Sequence, residues 1–382
     1  MRPNVAECQD SIRQSSAGEL PKPQAFYPFV EGLRAVCALY VVLHHAWVDT
    51  WNIFLNQQPG PLLRFLTGWL AFGHEAVTVF IAISGFCLML PVMPTGMKLK
   101  SKTRFFKRRA IRILPTYYAA LASSILIILA IGHPEWVSRR SAVEHFLMIH
   151  DFGHHMYDIN GPMWSIAVEC QIYLFFPLLL WITRRASIYM TLLVTGIVGF
   201  ELYNEYGLWG AGERDFHYLF VFALGMYAAW FCRNGSLAGV RILNVVGLLS
   251  SAITVYLLWR WSVGHFGVVD FFIAIAACCL LVNGATTPNG VVSRALTKRP
   301  LLGIGAFSYS LYLVHKPTQF VVNEILHHVR ITATTAFAIR ASFGTLLALA
   351  FAYAFYLKFE KPILQRSAKG SMTVKYPARQ AA

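Results

Sequence analysis

The stretch Phe29-Val30-Glu31-Gly32-Leu33-Arg34-Ala35-Val36-Cys37-Ala38-Leu39-Tyr40-Val41-Val42-Leu43-His44-His45 reads, from Leu33 onward, as a membrane-crossing helix with charge at one end and imidazoles at the other. Arg34 and His45 are 11 residues apart. On an α-helix that is about three turns, so the two lie on nearly the same face, about 16 Å apart along the axis. Ionisable groups in a membrane helix are expensive and face the bundle interior or a wet cavity. Read alone, Arg34 can snorkel to the cytoplasmic surface, and a lone histidine near the outer end can be structural. The pair on one face points instead to a shared polar cavity.

The 382 residues are 56% hydrophobic and only 13% charged, with a mean hydropathy of +0.51. A soluble domain carries roughly a quarter charged residues. Apolar runs of about 20 residues, the length that spans a bilayer as helix, recur along the chain. They predict spans over 28–48, 67–92, 113–132, 163–183, 186–200, 216–232, 242–261, 268–284, 303–325 and 334–357. The fold class is therefore all-α, a polytopic transmembrane bundle of about ten helices.

The charges between these spans give the orientation. Residues 98–112 hold Lys98, Lys100, Lys102, Arg104, Lys107, Arg108, Arg109 and Arg112 without an acid. Arg184 and Arg185, then Arg233 and Arg241, then Arg294, Lys298 and Arg299 mark the later even-numbered connections. The acids gather on the other side, at Asp49, Glu135, Glu144, Asp151, Asp158, Glu201, Glu205, Glu213 and Asp215. Lysine and arginine stay in the cytoplasm, so both termini are expected there, in the cell (inner) membrane. Residues 1–27 read as a polar tail, 28–362 as the membrane domain and 363–382 as a basic tail. The net charge of +15 is explained by topology and anionic lipid, so a nucleic-acid partner is not expected. The seven cysteines show no CxxC spacing, which argues against disulfides and structural zinc.

Several stretches within this frame could carry chemistry. In the second span, Ser84-Gly85 is a small-residue step of the kind that serves helix packing. Arg109 and Arg112 stand at i,i+3, neighbours on one face, where two guanidiniums can grip phosphates; topology alone also explains them. His145, His150, His154 and His155 sit in the longest outer loop, at spacings that match no standard zinc site. Glu169 lies in an apolar helix one turn after Ser165 and needs a partner, for which Arg34 or a histidine of another helix is the natural choice. Tyr309, Tyr312 and Lys316 fall at i, i+3 and i+7, so their polar ends are expected on one face, or in an interfacial belt.

Taken together these stretches resemble the acyltransferase 3 family of multi-pass membrane O-acyltransferases, in order, from about Phe29 to Pro362. The resemblance rests on Glu31-Gly32-Leu33-Arg34 with His45, on Phe80 to Phe86, and on the arginine run ending Ile113-Leu114-Pro115. It continues through Trp164-Ser165, Glu169-Cys170-Gln171-Ile172-Tyr173, Ser308 to His315 and Glu360-Lys361-Pro362. It implies transfer of an acyl group, usually acetyl, from cytoplasmic acyl-CoA to a hydroxyl of a carbohydrate or glycolipid acceptor. His45 matches the catalytic histidine, Arg34 the essential arginine and Glu169 the motif glutamate. Arg109 and Arg112 match the donor pair. Ser84 is assigned to the donor as well, and Trp164, Tyr309, Tyr312 and His315 to the substrate. No metal is implied.

Three positions depart from the pattern. Thr78 stands where many members carry an acid, Cys170 where a second glutamate is common, and His44 where an aromatic is frequent. The short stretch after Pro362 implies the stand-alone form, without a fused SGNH-type domain. On chemical grounds a neutral His45 would take the proton of the attacking hydroxyl, or would itself carry the acyl group. Arg34 or Ser84 would hold the developing oxyanion. The reading from a different class is a proton-coupled transporter or flippase of a lipid-linked sugar, with His45 and Glu169 as relay.

Overall fold

A computed structural model describes residues 20, 24, 26–51, 59–153, 155–207, 216–261 and 266–372. Most of the expected N-terminal tail, with Cys8, lies outside them, as do His154 and the chain beyond 372. Among the described residues the regular structure is entirely helical. The long helices are α1 (Pro28–Val48), α2 (Glu75–Met89), α3 (Lys102–Ala130), α4 (Trp164–Arg185), α5 (Ile188–Gly207), α6 (Tyr218–Asn234), α7 (Leu237–Trp261), α8 (Phe266–Thr286) and α9 (Ser308–His327). A tenth, α10, runs Ala333–Ile339, passes a π-helical turn at Arg340–Gly344 and continues as Thr345–Phe355.

Each expected span is met by one of these helices. Among the described residues seven helical stretches are long and apolar enough to cross a membrane: Pro28–Val48, Pro61–Met89, Lys102–Ala130, Gly161–Arg185, Leu237–Arg260, Gly267–Thr286 and Ala333–Arg366. Large apolar side chains such as Leu126, Leu174, Leu248 and Trp259 stand exposed on them. Outward apolar side chains are what a lipid solvent accepts and water does not. The chain is a multi-pass helical membrane protein.

The boundaries differ from expectation in three places. The expected span 67–92 opens as a short helix, Pro61–Thr67, and a 3₁₀ turn, Gly68–Phe72, before α2 proper. The basic run belongs to the first turns of α3 rather than to a loop, because Ser101 caps that helix by accepting the Arg104 N–H at 3.2 Å. An uncapped N–H in the first turn would otherwise need water. Into the region from 363 onward, where the basic tail was expected, the helix Lys361–Met372 continues.

The chain divides into two compact units. The first comprises residues 1–41, 72–99 and 168–306, and the second 42–71, 100–167 and 307–382. In the first unit α2 packs against α6 and α8, and α8 against α7. Backbone meets backbone where α2 crosses α6. A β-carbon at Gly85 would lie 2.0 Å from the Phe222 carbonyl oxygen, and one at Gly225 would lie 2.0 Å from that of Ala82. In lipid, where neighbouring chains are as apolar as leucine, such close approach supplies the packing energy. The Ser84-Gly85 step is therefore a crossing point. Gly32 serves likewise, since a β-carbon there would lie 1.8 Å from the Leu296 carbonyl oxygen.

In the second unit α9 packs against α3 and α10. Pro317 lies inside α9; it has no N–H to give and so releases the carbonyl four residues back. That carbonyl belongs to Leu313, and the buried Asn160 Nδ2 donates to it at 2.8 Å and to Ser124 Oγ at 3.0 Å. Asn160 thus ties α3, the turn before α4, and α9 at one point. Glu360 accepts from Ser310 Oγ at 2.5 Å and from Ser310 N at 3.2 Å, which holds the N-terminal end of α9.

Replacing Gly85 or Gly225 by leucine forces the α2–α6 crossing apart and is expected to cost more than about 3 kcal/mol, above the usual cost of overpacking. Gly303→Ala, where a β-carbon meets nothing within 4 Å, is expected to be neutral or stabilising by up to about 1 kcal/mol. Thermal melts followed by size-exclusion chromatography of the detergent-solubilised protein check both.

Candidate functional site

The first half of α1 carries Arg34 into the first unit. Its Nη1 donates to Glu31 Oε1 at 3.0 Å, one turn earlier on the same helix, and its Nη2 to Cys87 Sγ at 3.5 Å on α2. Glu169 and Tyr173 of α4 act on Arg34 electrostatically, yet Glu169 is not its ion-pair partner. The carboxylate of Glu169 accepts instead from the Tyr173 hydroxyl, one turn along α4. Tyr173 in turn accepts from Ser84 Oγ at 2.7 Å. In place of an Arg34 or histidine partner for Glu169, two local pairings form. The reason is proximity on one helix: i,i+3 and i,i+4 partners meet without cost in tertiary geometry.

The same unit holds a buried polar cluster that sequence reasoning missed. Asp270, fully buried on α8, accepts from His217 Nε2 at 2.8 Å. The Thr78 hydroxyl of α2 donates to its other oxygen. His74 Nε2 lies 3.3 Å from Asp270 and 2.8 Å from the Tyr218 hydroxyl. Glu75, itself buried, interacts with Asp270 and borders an apolar cavity of about 690 Å³ with Tyr40, Thr254 and Asn283. An acid was expected to be missing beside Thr78. The carboxylate next to Thr78 is that of Asp270, which comes from another helix. The available signal was an acid inside an apolar run, Val268-Val269-Asp270-Phe271-Phe272.

The outer half of α1 carries His45 into the second unit, where it meets His315 of α9. His45 Nδ1 and His315 Nε2 are 3.3 Å apart, with ring centroids 5.0 Å apart. His315 is fully buried, and its Nδ1–H donates to the carbonyls of Tyr312 at 2.8 Å and Leu311 at 3.1 Å. A neutral His315 therefore presents a lone pair at Nε2. His45 must donate to it from Nδ1, which places the lone pair of a neutral His45 on Nε2. In a histidine the bond made by one ring nitrogen sets the chemistry of the other. His44 is held differently, with Nδ1 2.8 Å from the Leu70 carbonyl oxygen.

The remaining expected residues of this unit divide by partner. The Tyr312 hydroxyl lies 2.7 Å from Ser165 Oγ, which itself donates to the Pro162 carbonyl. The Tyr312 and His315 rings are 6.0 Å apart. Trp164, buried, opens α4 immediately before Ser165. Tyr309 donates to the Ile113 carbonyl at 3.3 Å, and Lys316 bonds Asp49 at 2.5 Å. Tyr309, Tyr312 and Lys316 all lie in α9 at the expected i, i+3, i+7 spacing, but their polar ends bond to three different elements packed around it. Arg109 and Arg112 lie on the first turns of α3, Arg109 half-buried with its guanidinium 6.0 Å from the Phe105 ring and Arg112 exposed.

The structure therefore brings Arg34, Ser84 and Glu169 together with Tyr173, and His45, Tyr312 and His315 together with Ser165. Among the described residues no cluster of histidine, cysteine and carboxylate has the geometry of a metal site. In the outer loop, His145 and His150 stack with centroids 3.9 Å apart.

The acyltransferase 3 family profile, an acyltransferase domain, matches residues 27–357. The chain is 24% identical over 340 residues to the O-acetyltransferase OatA of Staphylococcus aureus, covering 78% of this chain and 51% of that protein. It is 23% identical over 340 residues to the peptidoglycan O-acetyltransferase OatA of Listeria monocytogenes, covering 79% and 50%. With the acyltransferase MdmB of Streptomyces mycarofaciens it shares 26% identity over 322 residues, covering 75% and 78%. The chain thus spans about half the length of the OatA proteins it matches. No solved structure matches it significantly.

Two predictions follow from the buried clusters. Asp270→Ala strips a buried carboxylate from His217, His74 and Thr78 and is expected to cost about 3–5 kcal/mol, the range for breaking a buried charged pair; Asp270→Asn, which keeps the shape, should cost less in the same melts. In the outer loop, burial pushes His145 below the ordinary imidazole value and His150 down to about 3. Neutral in the fold, each binds a proton on unfolding below about pH 6.5. Their stabilisation is full above that pH and is lost as pH falls, by up to about 1.4 kcal/mol per pH unit for His150. The melting temperature of His150→Phe should accordingly fall less than that of the wild type between pH 7 and pH 5.

Proposed function

The chain belongs to the acyltransferase 3 family, and from that premise we propose that it is a membrane O-acyltransferase of the cell (inner) membrane. It moves an acyl group, acetyl in the simplest case, from cytoplasmic acyl-CoA to a hydroxyl of a carbohydrate-type acceptor. The observation that carries this reading is the His45–His315 pair, in which backbone carbonyls set the tautomer of one imidazole and that imidazole sets the tautomer of the other. The relatives named O-acetyltransferase and acyltransferase support the class of reaction.

The chemistry is that of an activated hydroxyl. His45 Nε2 accepts the proton of the acceptor hydroxyl as its oxygen bonds to the thioester carbon. The tetrahedral adduct collapses with cleavage of the carbon–sulfur bond. The departing thiolate then takes the proton from the imidazolium, giving the ester and free CoA. His315 acts through His45: it orients the ring and holds the lone pair on the reacting nitrogen, as the third member of a nucleophile–base–orienter chain does. Tyr312, bonded to Ser165 with its ring 6.0 Å from that of His315, serves the substrate side, with Trp164 and Tyr309 as further substrate-side residues.

On the donor side, Arg109 and Arg112 grip the CoA phosphates at the cytoplasmic end of α3. Arg34, Ser84 and Glu169 form a second charged station on the α1–α4 side of the first unit. There Arg34, held by Glu31, offers its guanidinium to an anion. The choice between direct transfer and an acyl-histidine intermediate is open to a trapping experiment with acyl-CoA alone.

Membranes expressing the wild type, His45→Ala, His315→Ala and Arg109→Ala are incubated with acyl-labelled acetyl-CoA, and glycolipid and polysaccharide fractions are counted. His45→Ala is expected to lose about 10²–10⁴ in rate, the worth of a general base. His315→Ala should lose less and move the pH profile of kcat/KM. Arg109→Ala should raise the KM for acyl-CoA. Near-normal turnover in His45→Ala overturns the assignment. No label from any short acyl-CoA, with the native acceptors present, leaves the transporter reading in its place.

A further inference from the structure

One helical turn beyond His45, the second unit opens into a polar pocket that the acyl-transfer chemistry above does not use. It has a volume of about 310 Å³ and is lined by Asp49, Asn323, His327, Val329 and Arg340, with apolar residues at its edge. Small-molecule sites begin at about 300 Å³, so the space suits a single sugar-sized group rather than a chain of them.

The pocket is built by a continuous hydrogen-bond network. Asp49 follows His45 by one turn of α1, its N–H donating to the His45 carbonyl at 2.9 Å. Lys316, the residue after His315, donates to Asp49 Oδ1 at 2.5 Å, and Asn323 Nδ2 donates to Asp49 Oδ2 at 2.9 Å. Asn323 Oδ1 accepts from Arg340 Nε at 2.7 Å, and Thr50 Oγ1 accepts from Arg340 Nη1 at 3.1 Å. Arg340 opens the π-helical turn of α10, a rare backbone device found frequently at functional sites.

The charges do not cancel. Lys316 already neutralises Asp49. Arg340 has no carboxylate within ion-pair distance among the described residues, and only two of its five N–H groups are engaged. The pocket therefore presents a fixed, half-buried guanidinium with donors to spare, beside the acceptor and donor groups of Asn323 and Asp49. A guanidinium fork so held recognises carboxylate or phosphate, and planar amide and carboxylate groups bind sugar hydroxyls.

We propose that this pocket is the subsite for an acidic sugar: its carboxylate or phosphate lies on Arg340, and its ring hydroxyls on Asn323 and Asp49. Lying at the end of α1 away from the basic cytoplasmic connections, it receives its ligand from the outer side. That this sugar is the acyl acceptor rests on the acyl-transfer reading; that the pocket binds it does not.

The test measures binding and needs no turnover. Val329, exposed on the pocket wall, is replaced by cysteine in the full-length detergent-solubilised protein, and its rate of labelling by a neutral maleimide is followed, with the parent protein as blank. The probes are methyl glucuronide, glucose 6-phosphate, methyl glucoside and inorganic phosphate. The two acidic sugars are expected to protect the cysteine at concentrations at least tenfold below those needed for methyl glucoside or phosphate. The more potent of the two names the acid. Arg340→Gln should abolish the difference between the glucuronide and the glucoside, Arg340→Lys should keep part of it, and Asn323→Asp should weaken both acidic probes while leaving Arg340 in place.

Equal protection by methyl glucoside, or equal protection by inorganic phosphate alone, overturns the acidic-sugar site, as does protection by none of the probes. If the acidic sugars protect but the wild type transfers no acyl group in the labelled-membrane assay, the subsite stands and the acyl-transfer reading falls.

Discussion

Pro317 cannot donate to the carbonyl of Leu313, and in a membrane no water replaces the missing bond. Asn160 takes that carbonyl from outside the helix, and much of the second unit depends on this. The helix that presents Tyr312, His315 and Lys316 is held against the turn that begins α4 and against α3 by one amide. Its N-terminal end is held by Glu360 through Ser310. From the other side, Gln319 donates to the Val42 carbonyl at 2.9 Å, fixing α9 to the outer half of α1. With both helices so fixed, His315 can set the tautomer of His45.

The same economy runs through the first unit. Arg34 finds Glu31 a turn away, Glu169 finds Tyr173 a turn away, and Ser84 completes the line. Charges buried in hydrocarbon are tolerated when partnered, and the nearest partner is one turn along the same helix. Long-range pairings appear where no local partner exists. Asp270 has no hydrogen-bonding residue one turn away on α8, since Ala274 and Ile273 follow it, and it draws His217 from α6 with His74 and Thr78 from the α2 side.

Much of the molecule was legible because the membrane simplifies the code. Hydropathy located the ten long helices found among the described residues, since it follows from the cost of placing polar groups in lipid. The ordered motifs led to the family from short stretches alone, and the i,i+3 relation of Arg109 and Arg112 is helical geometry. Pairing was not legible. Glu169 was given Arg34 or a histidine of another helix as partner because a buried carboxylate attracts a cation, while the outcome depended on Tyr173 standing one turn away. Asp270 was passed over because an acid near a span's outer end reads as an interfacial residue until its neighbours are known.

The sequence by itself determined the helices and the family, because those follow from local composition and one-dimensional order. Only the tertiary structure decided which residues meet. It set His315 against His45, sent Tyr309, Tyr312 and Lys316 to three different neighbours, and laid Asp270 of α8 against Thr78. The physical reason is that a buried hydrogen bond needs its atoms within about 3 Å, and residues 270 positions apart, as His45 and His315 are, reach that distance only through tertiary packing within the second unit.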